Sequence, residues 1–127
     1  MMKKKITRQH RARVRFILKT AAAKESLILL TIRINKKRVV WSTGEYIQPG
    51  PKKNKTYENW NTATRRAVVS GRNVGAIDLN RLLQSYEDAA FDIYNEWGLS
   101  NPETAAHTKS DNFKLELAYR TGKRGRP

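Results

Sequence analysis

The sequence predicts an α+β domain: a three-stranded antiparallel sheet packed against one long C-terminal helix, with basic disordered tails. Three observations lead there. Apolar residues alternate with period two in three short runs before residue 45, and they recur every three or four residues between Leu79 and Trp97. A stretch rich in proline, glycine and asparagine, with no period, separates the two patterns.

Residues 1–11 (MMKKKITRQHR) hold one isolated Ile among many charges, too little apolar surface to offset the entropy of ordering, and read as a flexible basic arm. From Ala12 the pattern alternates: Val14, Phe16 and Leu18 on one face and Arg13, Arg15 and Lys19 on the other, with Ile17 the exception. This is a half-buried strand. After a polar link at Ala22–Ser26, a second strand runs from Leu27 to Asn35, with Ile28, Leu30, Ile32 and Ile34 in one register and Leu29, Thr31 and Arg33 in the other. Asn35, Lys36 and Lys37 supply a turn. A third strand, Arg38 to Thr43, sets Val39, Trp41 and Thr43 against Arg38, Val40 and Ser42 and ends at Gly44. One face of this meander is apolar and the other cationic.

The stretch from Gln48 to Ala63, with Pro49-Gly50-Pro51 and Lys52, Lys53 and Lys55, reads as a loop that Trp60 pins to the core. Leu79, Leu82, Leu83, Tyr86, Ala90, Ile93 and Trp97 then mark one stripe of a long helix stopped by Gly98. Asn101-Pro102-Glu103 reads as the cap and first turn of a short second helix, and Phe113, Leu115, Leu117 and Tyr119 form a last, weakly periodic segment. The expected organisation is an arm at 1–11, a domain at 12–98, a short helical extension at 99–119 and a basic tail or linker at 120–127.

Charge is segregated along the chain. The 127 residues carry 26 Lys and Arg against 11 Asp and Glu, a net of +15. Residues 1–72 hold 19 basic and three acidic side chains (Glu25, Glu45, Glu58), residues 73–119 hold three and eight, and residues 120–127 add four cations and no acid. A surface built only for solubility mixes both signs, so this pattern points to a polyanionic partner. The absence of Cys excludes disulfides, cysteine zinc sites and a thiol nucleophile, and leaves His10 and His107 as the soft ligands, with no metal site expected. No apolar run reaches the ~20 residues of a spanning helix, and no apolar h-region follows the basic start, so a cytoplasmic, nucleoid-associated location without membrane contact is expected. Catalysis has no candidate constellation, and no cofactor is implied.

The run Ile32-Arg33-Ile34-Asn35-Lys36-Lys37-Arg38, then Ser42-Thr43-Gly44, a Pro-containing loop, Trp60, and a long helix bearing Asn80, Leu83 and Tyr94 carry a resemblance. From about Val14 to Tyr119 the chain resembles the arm-type DNA-binding domain at the N-terminus of Bacteroidetes tyrosine recombinases, the integrases of conjugative and mobilisable transposons. Where that family has glycine in its hairpin turns, this sequence has Ala23 and Lys36. The resemblance implies a non-catalytic domain that binds double-stranded DNA at short arm-type repeats and takes part in DNA integration and recombination. Its partners would be the rest of the recombinase chain, which holds the catalytic tyrosine, and other integrase protomers on adjacent sites.

The B-DNA major groove is ~12 Å wide and admits a β-sheet. On the cationic face, Arg13, Arg15 and Arg33 suit bidentate contacts to guanine, Lys19 and Arg38 suit phosphates near strand ends, and Thr31 and Ser42 suit a base edge or thymine methyl. Lys3, Lys4, Lys5, Arg8 and Arg11 in the arm, with Lys36 and Lys37 and the loop lysines, suit phosphates without sequence readout. Arg124-Gly125-Arg126 before Pro127 resembles an AT-hook core, which lies in a narrow minor groove. Each cation also has a plain reading as a solvated sheet face, and the tail as a linker. The acids Glu87, Asp88, Asp92 and Glu96 read as a solvated helix face, and the three Trp as core. Binding of double-stranded RNA, or docking of the basic face on an acidic protein, are the alternatives.

Overall fold

The computed structural model describes residues 14–71 and 73–127. The described residues form β1 (Arg15–Leu18), β2 (Ser26–Ile34) and β3 (Lys37–Ile47), the two-residue strands β4 (Lys52–Lys53), β5 (Thr56–Tyr57), β6 (Trp60–Asn61) and β7 (Arg66–Ala67), and the helices α1 (Ala76–Glu96), α2 (Pro102–Ala106) and α3 (Ser110–Arg120). The first three strands form an antiparallel sheet in the order β1-β2-β3, and with the long α1 they make the α+β fold expected. Contacts divide the described residues into two compact units, one of Arg15–Thr31 and Val40–Ser85, the other of Val14, Ile32–Val39 and Tyr86–Pro127.

In the first unit β1 pairs antiparallel with β2, Arg15 opposite Thr31 and Leu18 opposite Ile28. The alternation sets the burial: Phe16, Ile28 and Leu30 are inaccessible and Trp41 is buried, while Arg15 and Ser42 are exposed. The third strand does not end at Gly44. That residue adopts φ 77, a left-handed value that costs glycine nothing, and β3 continues to Ile47. Buried Thr43 supports the passage by donating to the Ile28 carbonyl at 2.7 Å and accepting from Glu45 N–H at 3.0 Å.

The stretch read as a loop is two miniature hairpins, β4 with β5 and β6 with β7. Two-residue strands have no period to read, and asparagine side chains do much of the holding. Asn80 on α1 takes the Ala67 N–H at 2.8 Å and gives a hydrogen bond to its carbonyl at 2.9 Å, while Asn73 donates to the Val68 carbonyl at 2.8 Å. Trp60 is buried, as an anchor should be.

The second unit begins at the β2–β3 turn, where both Asn35 (φ 53) and Lys36 (φ 65) are left-handed, the signature of a two-residue type I′ hairpin. Asparagine tolerates that conformation and lysine does not favour it. Lys36→Gly is expected to stabilise the chain by about 0.5 to 1 kcal/mol, read as a higher urea midpoint at unchanged slope. A lowered midpoint would contradict the turn assignment.

On α1 the expected stripe is buried at Tyr86, Ala90 and Ile93, while Trp97 is half-buried. In the first unit the same stripe buries Leu83, but Leu82 is 42 % exposed. Gly98 (φ 64) ends the helix in a Schellman motif, with Gly98 N–H on Asn95 O at 3.1 Å and buried Leu99 N–H on Tyr94 O at 3.0 Å. Asn101 caps α2 through Glu103 and Thr104 N–H groups, with Pro102 in the first turn, as its sequence predicts. The segment expected as an extension is core: Leu99, Ala105, Phe113 and Leu117 are all buried, and Trp97 meets Phe113 edge-on with centroids 6.3 Å apart.

Candidate nucleic-acid interface

Residues 26–44 contain no acidic side chain, and the β2–β3 turn gathers their cations. Arg33, Lys36, Lys37 and Arg38 are all exposed. Arg33 Nη1 donates to the Lys36 carbonyl at 3.0 Å, bracing the turn while its remaining N–H groups stay outward. Beside the turn lies a groove of about 440 Å³ lined by Asn35, Lys37, Thr108, Lys109, Ser110 and Asp111 among others. Lys109 therefore joins Lys37 at this groove. Sequence reasoning missed it because nothing local ties residue 109 to a turn at 35–36.

In the other unit Arg15, Lys19 and Ser42 are exposed, as expected of the outward register. Thr31 is a correction. It is only 5 % exposed, and its hydroxyl donates to the Arg15 carbonyl at 3.3 Å, so it is not available to a base. The miniature hairpins add cations at their tips: Lys52, Lys53 and Lys55 around left-handed Asn54 (φ 58), and Arg65 (φ 58) in a turn where the Asn61 side chain accepts from Ala63 and Thr64 N–H groups. Lys53 is 3.8 Å from Glu58, an exposed pair of little energetic weight. Arg66 stacks 5.0 Å over the Phe16 ring and donates to Gln84, a packing role. Arg13 and the arm residues Lys3, Lys4, Lys5, Arg8 and Arg11 lie outside the described residues.

Three of the four C-terminal cations, Arg120, Lys123 and Arg126, have internal partners. Gly122 (φ 75) closes α3 with a second Schellman motif, Gly122 N–H on Tyr119 O at 3.2 Å and Lys123 N–H on Ala118 O at 2.9 Å, which turns the chain back. Lys123 then lies 5.0 Å over the Tyr86 ring and Arg126 4.8 Å over Tyr119. Arg126 makes a bidentate pair with Glu116 at 2.6 and 3.0 Å, Arg120 reaches Glu116 at 2.7 Å, and Arg120 also grips Glu96 at 2.8 and 3.0 Å. Residues 120–127, expected as a disordered tail, are thus clasped to α3, and minor-groove entry by Arg126 requires it to leave Glu116. Arg124 and Gly125 are exposed.

Hydrogen bonds from Arg126 and Arg120 hold the Glu116 carboxyl down to about 2, against an ordinary value of 4.5. A lowered folded-state value means the clasp stabilises fully above pH 4.5 and is lost as the pH falls towards 2. Glu116→Gln is expected to cost about 1 to 2 kcal/mol at pH 7, discounted because Arg126 is 57 % exposed. The gap between the two denaturation curves should close below pH 2; a gap that persists there would refute the clasp as its source.

Among the described residues no His, Asp or Glu cluster is arranged to hold a metal ion, and no helix is long and apolar enough to cross a membrane. Glu96, the last of the five acids along α1, is engaged by Arg120. No protein-family model, curated protein or solved structure matches this chain.

Proposed function

We propose that this chain binds double-stranded DNA sequence-specifically, as a non-catalytic arm-binding domain of the tyrosine-recombinase type. The observation that carries the reading is the β2–β3 hairpin, whose acid-free tip presents Arg33, Lys36, Lys37 and Arg38 to solvent. A two-stranded ribbon of this kind fits the major groove, where arginine reads guanine O6 and N7 and lysine holds phosphate. The brace from Arg33 to the Lys36 carbonyl supports a base-reading role, because it limits the conformations of that guanidinium before DNA arrives. Arg15, exposed on β1, is the second reader, with Ser42 near a base edge and Lys19, Lys36, Lys37 and Arg38 on phosphates. The parent protein would be a recombinase that supplies the catalytic domain and acts in the bacterial cytoplasm on nucleoid DNA.

Base readers and phosphate contacts are separable. Arg15→Ala and Arg33→Ala are each expected to weaken a selected duplex by about 1 to 3 kcal/mol and to relax its specificity, with much smaller loss on random duplex. Equal losses on both duplexes in filter-binding or anisotropy titrations would remove the base-reading role.

A further inference from the structure

The segment after α3 carries two residues that its folded position does not explain. Gly122 is needed where it stands, because its φ of 75 lets the chain turn back. Gly125 is not: its backbone is not left-handed, and a Cβ added to it meets nothing within 4 Å. A side chain would fit there, whereas glycine adds to the entropy lost on folding. Arg124, beside it, is exposed, and its guanidinium has no hydrogen bond or ion pair among the described residues. Arg126 is the contrast, held by Glu116 at 2.6 and 3.0 Å and lying over the Tyr119 ring. A carboxylate that offers two oxygens to the guanidinium fork has the geometry and the charge that a nucleic-acid backbone also offers.

The clasp is built to open at one point. Arg126 is 57 % exposed, so a competing anion can reach it, whereas Arg120 is 24 % exposed and is paired with Glu96 as well. When Arg126 leaves, the largely buried Glu116 carboxylate keeps Arg120 at 2.7 Å and is not left unpaired. The backbone is fixed as far as Arg124, whose N–H shares the Ala118 carbonyl with that of Lys123, so opening requires motion only from Gly125 onwards. We propose that Arg124-Gly125-Arg126 is a second DNA contact held closed by Glu116 and opened by A·T-rich duplex. In the open form both arginines enter the narrow minor groove, where the potential is most negative, and Gly125 lets the backbone approach the groove floor. This rests on the DNA-binding reading and adds a gate to it, because affinity through the segment falls with the fraction of chains that are clasped. A closed clasp keeps Arg126 off duplex whose minor groove does not draw it out.

The test is an anisotropy titration of the full chain against two labelled duplexes of equal length, one an A-tract and one all G·C. Glu116→Gln is expected to tighten binding of the A-tract by ~3- to 10-fold and to change the G·C duplex by less than ~2-fold. Glu103→Gln, which removes the same charge from an exposed position on α2, should give no such gain. Gly125→Val should abolish the gain in the Glu116→Gln chain and weaken the A-tract alone in the parent chain, although its side chain meets nothing in the clasped form. An unchanged circular dichroism spectrum verifies that each variant folds, and the parent-chain Gly125→Val comparison stands even if Glu116→Gln does not fold. An equal gain on both duplexes, a gain matched by Glu103→Gln, no gain, or indifference to Gly125→Val overturns the proposal. In each of those outcomes the parent chain still binds duplex and the DNA-binding reading survives, whereas a parent chain that binds neither duplex removes both.

Discussion

Changing Lys36, Lys37 and Arg38 together to glutamine is expected to lower affinity for duplex DNA by about 10²-fold at 0.15 M salt and to flatten the salt dependence. The magnitude follows from counterion release: each phosphate neutralised contributes about 0.9 to the slope of log K against log salt, so three contacts contribute about 2.7. The effect should be nearly equal on selected and random sequences, unlike the loss from Arg33→Ala. All three side chains are exposed on the hairpin, so the thermal midpoint should barely move. An unchanged slope would mean that the hairpin tip does not touch phosphates, and the interface would have to lie elsewhere on the chain.

The second large effect concerns stability. Phe113→Ala is expected to destabilise by about 3 to 5 kcal/mol and to lower the melting temperature by about 10 to 20 °C. Phe113 is inaccessible to solvent, lies edge-on to Trp97, and shares its unit with inaccessible Leu117, so the deletion leaves a cavity among side chains with no obvious means of closing it. Leu115→Ala, one turn-face away and half-buried, should cost much less. Similar small losses for both would show that α3 is peripheral. The comparison also bears on where the domain ends: if residues 99–119 are core, truncation at Gly98 should yield an unfolded chain.

What was legible in the sequence is the part governed by local periodicity. Ile28, Leu30, Ile32 and Ile34 stand in one register because side chains alternate across a strand, and all four are buried. Gly98 as a helix stop follows from the same local logic, and Gly122 offered the same signal within a run whose charge made it read as a tail. Thr31 shows the limit of parity. It belongs to the outward register with Arg33, yet the neighbouring strand's Arg15 carbonyl takes its hydroxyl and covers it. The miniature hairpins were illegible for a different reason: Asn73 and Asn80 hold backbone from elsewhere in the chain, and no window of sequence displays such a bond. For the candidate interface, the cations of the hairpin were legible from composition and turn chemistry, whereas Lys109 required the tertiary structure.

The central claim is specific recognition of duplex DNA, and a competition titration near physiological salt tests it most directly. Labelled duplex bound to the chain would be displaced in parallel by random-sequence DNA, by double-stranded RNA, and by a DNA pool enriched over several rounds of selection. The account predicts that a short motif emerges and competes ~10³-fold or more better than random duplex, with RNA no better than random DNA. Competition by RNA as strong as by DNA, with no motif enriched, would contradict it and leave a polyanion binder without sequence preference.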